Sequence, residues 1–141
     1  MIALSLLMLA MCGCHRIRPD ASTGMPALSC RDGESALQRS TLYFGAAIPG
    51  ATDTVDQDEW SAFLGDSVTP HFPDGLTWFE ASGQWRGKDG SVVSEHSRVL
   101  VLIHVDDAAT RTAISEIRST YQSRFQQEAT LHERALVCVS F

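Results

Sequence analysis

Leu76–Val105 reads LTWFEASGQWRGKDGSVVSEHSRVLVLIHV, and this stretch decides the architecture. Two runs rich in aromatic and β-branched residues flank Gly87-Lys88-Asp89-Gly90, a turn sequence whose last glycine can adopt positive φ. The stretch therefore predicts an antiparallel hairpin, Leu76–Arg86 returning as Ser91–Val105. Its end, RVLVLIHV, is apolar on both faces, so the second strand is predicted to lie centrally in the sheet. A type I turn with Gly90 as a left-handed bulge pairs Gly87 with Ser91, Trp78 with Leu100, Glu80 with Arg98 and Ser82 with His96.

On the N-terminal side, TLYFGAA over Thr41–Ala47 reads as another strand, followed by a loop through Pro49 and Gly50. Asp56 and Glu59 have the spacing of a capping box, and Val55 can pack on Trp60 as a staple. A helix follows with Trp60, Phe63, Leu64 and Val68 on one face, and it stops at Thr69 because Pro70 disfavours a helical residue before it. On the C-terminal side, Asp106-Asp107 opens a second helix, whose apolar face is Ala113, Ile114, Ile117, Tyr121 and Phe125. Ala129–Phe141 closes the chain as a strand. Strand, helix, strand, strand, helix, strand is the order of the ferredoxin-like βαββαβ fold. This is an α+β class with a four-stranded antiparallel sheet and both helices on one face.

The start of the chain points to a compartment. Ile2–Met11, IALSLLMLAM, is about half the length needed to span a bilayer and within the range of a signal-peptide apolar region. The run ends in Cys12-Gly13-Cys14. With a small residue before Cys14 it resembles the lipobox of bacterial lipoproteins, which implies acylation of Cys14 and membrane attachment through that lipid. Two departures stand out: Met11 lies three positions before the cysteine, and no basic residue precedes the apolar run. Residues 1–14 thus read as a signal and lipobox segment, 15–29 as a tether of Pro, Gly and Ser composition, and 30–141 as one α+β domain.

Cys30 and Cys138 remain, and two cysteines in an exported domain are most simply a disulfide. In the expected topology the last strand runs antiparallel beside the first, which brings the two together. A zinc site is the rival, but no short-spaced partner ligands bracket either cysteine. No metal and no cofactor are expected.

Composition is that of a folded chain, 44% hydrophobic and 20% charged, with a net charge of −6. The eleven basic residues are scattered and gather into no positive track, so nucleic acid is not an expected partner.

Thr69-Pro70-His71-Phe72-Pro73-Asp74-Gly75-Leu76-Thr77 and Gly83-Gln84-Trp85-Arg86 carry a family resemblance. Leu42-Tyr43-Phe44-Gly45, Glu59-Trp60 and Cys138-Val139-Ser140-Phe141 belong to the same pattern. Together they resemble a family of bacterial secreted or lipoprotein-like proteins known only as a domain of unknown function. The resemblance covers roughly Cys30–Phe141, supports the domain boundary and export, and implies no activity.

No nucleophile elbow, phosphate loop or Ser-x-x-Lys motif is present, and no catalytic residue is assigned. His71 with Asp74 reads as part of a rigid turn rather than an acid–base pair. His104 reads as a structural strand histidine, and His96 and His132 as exposed strand positions. Trp78 and Trp85 have opposite parity, so one must face away from the helices. Burying Arg98 without a partner would be costly. The expected register therefore turns Phe79, Ala81, Trp85, Val99, Val101 and Ile103 toward the helices. It leaves Tyr43, Trp78, Glu80, Ser82, Gln84, Arg98, Leu100, Leu102 and His104 as an open binding face. The function expected from this face is that of an envelope module that binds a small ligand of undetermined class or a second copy of itself as a homodimer. The alternative is a small enzyme of the dimeric α+β-barrel kind, whose members act on small, often aromatic substrates, by fold-level analogy.

Overall fold

The computed structural model describes residues 28–141 except 49, 51 and 88, and of Trp85 and Val93 only the backbone. The signal segment, Cys14 and nearly all of the tether lie outside the described residues. The elements are β1 (Ser35–Gly45), α1 (Gln57–Phe63), β2 (Thr77–Arg86), β3 (Val92–His104), α2 (Ala108–Arg124) and β4 (Leu131–Val139), and a π-helical turn, Leu64–Val68, prolongs α1. Strand order is β2-β3-β1-β4 and every pairing is antiparallel. This is the ferredoxin-like arrangement expected from the order of elements.

The hairpin closes as its turn residues dictate. Gly90 has φ 85° and its amide donates to the Gly87 carbonyl at 3.0 Å, while the Gly87 amide donates to the Ser91 carbonyl. Trp78 faces Leu100, Glu80 faces Arg98 and Ser82 faces His96. Both helices begin on aspartate capping boxes: Asp56 accepts from the Glu59 amide at 2.8 Å and Asp107 from the Thr110 amide at 2.8 Å. β1 begins six residues earlier than its apolar run suggests. Its first half carries Gln38 and Ser40 on the buried side: Ser40 bonds to His104 and His132 of the neighbouring strands, and Gln38 Nε2 donates to the Arg39 carbonyl at 3.2 Å.

The register is as expected, but the two faces of the hairpin are exchanged. Trp78, Arg98, Leu100, Leu102 and His104 lie under the helices with Ser40, Leu42 and Phe44, and Phe79, Val101 and Ile103 face away. The cost assigned to burying Arg98 is offset by specific partners. Arg98 is 7% exposed, its Nη1 donates to the Val55 carbonyl at 2.8 Å, and its guanidinium lies 5.5 Å from the Trp60 ring centroid. The loop that enters α1 thus holds the guanidinium through Nη1 without Glu80, while its Nε is buried with no hydrogen-bond partner among the described residues.

Phe44, Trp60, Phe63, Tyr121 and Phe125 form the aromatic centre of the core, with Phe44 and Tyr121 rings 4.5 Å apart. The Tyr121 hydroxyl donates to the Gly45 carbonyl at 2.8 Å, tying α2 to the end of β1. Cys30 and Cys138 form a disulfide with Cα atoms 5.5 Å apart, which consumes the thiolates a zinc site would need.

Candidate functional site

The face turned away from the helices carries one continuous row across all four strands: Phe79, Val99, Tyr43 and Leu131. Val99, in the middle, is only 2% exposed, whereas Phe79 and Leu131 at the sheet edges are 50% and 59% exposed. Beside this row, toward the hairpin tip, lies an open cleft of about 750 Å³ between the β2–β3 hairpin, the end of β1 and the loop after α2. Its walls include Tyr43, Gln84, Ser97, Gln127 and Leu131, and its floor is Gly45.

Glu95 is the charged group on that floor. Its carboxylate reaches over Gly45, so a Cβ built there would lie 3.0 Å from both carboxylate oxygens and 3.0 Å from Gln127 Oε1. The side-chain amide is fixed in orientation, because its Nε2 donates to the Ala47 carbonyl at 2.7 Å and to the Phe125 carbonyl at 3.1 Å. Two hydrogen-bond acceptors therefore converge over one glycine. No described side chain donates to Glu95, and burial raises its pKa above the ordinary carboxylate range. Three carboxylates (Asp89, Glu95 and Glu128) and no basic side chain line the cleft among the described residues.

Local structure explains how these groups arrive. α2 ends at Arg124, and Gln126 takes φ 53°, a left-handed cap that turns the chain and presents Gln127 to the end of β1. Glu95 stands directly opposite Gly83 and diagonal to Gly45, so glycines on both neighbouring strands leave it room. Such in-strand glycines mark close approach. The expected open face rested on neither glycine, and nothing in the sequence pattern pointed to Gln127.

The predicted open-face residues are divided by the fold. Tyr43 faces the cleft, with its hydroxyl donating to Glu133 at 3.2 Å. Burial and that carboxylate push its pKa up. Gln84 lines the cleft, Ser82 lies in a shallower groove beside it, and Glu80 is exposed on the opposite face. Arg98, Leu100 and Leu102 are buried under the helices, and Trp78 is partly buried against them. His104 is also buried, and its Nδ1 lies 2.7 Å from the Val105 carbonyl. In the neutral ring Nδ1 then carries the proton, so Nε2 accepts from the Ser40 hydroxyl at 2.9 Å. Ser40 accepts in turn from His132 Nε2 at 3.0 Å, which makes His132 half-buried rather than the exposed residue expected.

No curated protein matches the chain. Several solved structures share its fold. A phage SAM lyase in complex with S-methyl-5'-thioadenosine has a TM-score of 0.59 at 10% identity over 82% of this chain and 95% of that one. A phage SAM lyase in the apo state gives 0.55 at 13% identity, covering 82% and 97%. CutA from Synechococcus elongatus gives 0.50 at 11% identity, covering 76% and 83%. At such identities these neighbours show a common fold. The model of DUF3574, described as a protein of unknown function, matches residues 39–141, which span all four strands except the start of β1, and the chain belongs to the DUF3574 family.

Proposed function

We propose that this domain is an exported, lipid-anchored module of the cell envelope that binds a small ligand in the cleft over Gly45. The ligand offers N–H donors or a positive charge to Glu95 and Gln127. The observation that carries this is the convergence of a carboxylate and an oriented amide oxygen, both acceptors, over one glycine in a cleft without a basic side chain among the described residues. Two acceptors held near one point with no donor between them are unfavourable, and a bound donor removes that cost. Tyr43 and Leu131 supply the apolar wall that a small organic ligand also needs. Export and acylation at Cys14 rest on the apolar run and the lipobox-like segment.

The test uses the purified, oxidised protein with S-adenosylmethionine, a sulfonium cation, against S-methyl-5'-thioadenosine, its neutral counterpart, and spermidine. Equilibrium dialysis should find saturable binding of a cation and not of the neutral thioether, weakened at least about tenfold by Glu95→Gln. Equal binding of charged and neutral probes, or no effect of Glu95→Gln, contradicts the reading.

A second reading is an enzyme that uses the same cleft. A carboxylic acid shifted toward neutrality in a concave site has the properties of a general acid or base. Turnover of S-adenosylmethionine, lost in Glu95→Gln, would select this reading over simple binding.

A further inference from the structure

We propose that a second pocket, separate from the Glu95 cleft, binds a small oxyanion: inorganic phosphate or the phosphate of a lipid headgroup. The pocket, of about 210 Å³, lies between β4, β1 and the first half of α2. Arg111, Arg118 and Arg134 line it, against one carboxylate, Asp106. Asp106 is taken by Arg111 at 2.8 Å, so two guanidiniums face the pocket without an acidic partner among the described residues. In a chain of net charge −6 that concentration is not the average surface.

Arg118 is held in place beside the pocket. Its Nη2 donates to the Thr130 carbonyl at 2.9 Å, while its Nε is buried with no hydrogen-bond partner among the described residues. A buried donor without an acceptor is unfavourable, and an anion beside Arg118 would relieve it. Arg134 is exposed on β4 and makes no ion pair among the described residues, which leaves its planar fork free for bidentate contact with an oxyanion. The Ser40–His104–His132 chain forms the inner wall. His132 sits in a positive field: burial lowers its pKa first, and Arg118 and Arg134 lower it further. An anion between those guanidiniums would relieve that field.

Ser40 and His104 have the spacing of a nucleophile and its base, but that role does not fit. Ser40 is 0% exposed, and its oxygen already accepts from His132 while its proton goes to His104. Ser40 holds the two imidazoles in place.

The experiment follows the His132 imidazole resonances by NMR in the oxidised protein. Inorganic phosphate is titrated against chloride at matched ionic strength, and phosphatidylglycerol vesicles are compared with phosphatidylcholine vesicles. A saturable, phosphate-specific shift of His132, weakened about tenfold by Arg134→Gln, supports a free-oxyanion site. A shift with phosphatidylglycerol alone, again weakened by Arg134→Gln, supports the headgroup. Arg134 is exposed, so that variant should fold, and Arg118→Gln provides the second arm. Absence of any specific shift with either probe overturns the proposal. A response that neither substitution changes also overturns it.

Discussion

Arg98→Met tests which face of the hairpin is buried. In the structure this change removes a charge-assisted hydrogen bond to the Val55 carbonyl, of about 1.5–3 kcal/mol, and a guanidinium–Trp60 contact of about 0.5–2 kcal/mol. Methionine fills most of the volume, and removal of the guanidinium's desolvation cost returns part of the loss. The net expectation is a destabilisation of about 1–3 kcal/mol, or very roughly 4 °C or more in Tm for each kcal/mol in a domain of this size. Urea unfolding of the oxidised protein measures it directly. An exposed arginine on an open sheet face would cost less than about 0.5 kcal/mol, and that result would refute the reasoning.

Opening the Cys30–Cys138 disulfide, by reduction or by the double serine variant, should lower stability by up to about 4–5 kcal/mol for a separation of 108 residues, and an unchanged urea midpoint contradicts this. Gly45→Ala should destabilise by about 1–3 kcal/mol, because its Cβ meets the oxygen of the hydrogen-bonded Gln127 amide as well as the Glu95 carboxylate at 3.0 Å, and it should abolish cation binding by occupying the point where a donor sits; urea unfolding reads the first effect and calorimetric titration the second. Cation affinity should fall as pH drops through the raised pKa of Glu95, above the range of an ordinary glutamate. The same shift has the opposite sign for folding, since the native state holds that proton more tightly and gains stability as pH falls through that window. Glu95→Gln should flatten both profiles, and an unaltered pH profile counts against the assignment. If the exposed row pairs two copies, Phe79→Ser should shift sedimentation toward monomer with little loss of stability; an unchanged profile removes self-association through this face.

The elements, their caps and the register of the hairpin were legible because each has a local cause. Asp56 with Glu59 starts a helix, and Gly90 fixes the bulge that sets every pair from Trp78–Leu100 to Arg86–Val92. That helix ends beside Pro70, but Thr69 keeps helical φ and ψ, so it does not end by the expected exclusion of Thr69 from the helix. The disulfide was legible because topology and cysteine count agree. The choice of face was not, since β3 alternates aliphatic residues on both sides, and the deciding residue, Arg98, is buried by a loop carbonyl 43 positions away. The expected site inherited that exchange. Tyr43 and Gln84 remain at the cleft, while Trp78, Arg98, Leu100, Leu102 and His104 belong to the core or its polar edge. Glu95 and Gln127 stayed hidden because they meet only when the end of α2 turns through the left-handed Gln126 onto β1.

The most direct test of the central claim is a carbon-detected NMR titration of the Glu95 side-chain carboxyl, with and without S-adenosylmethionine or spermidine. The account predicts a carboxyl that titrates above the ordinary glutamate range in the free protein and is drawn down when a cation binds. A Glu95 that titrates as a free surface glutamate and ignores every cation, while Glu95→Gln leaves binding unchanged, would contradict it.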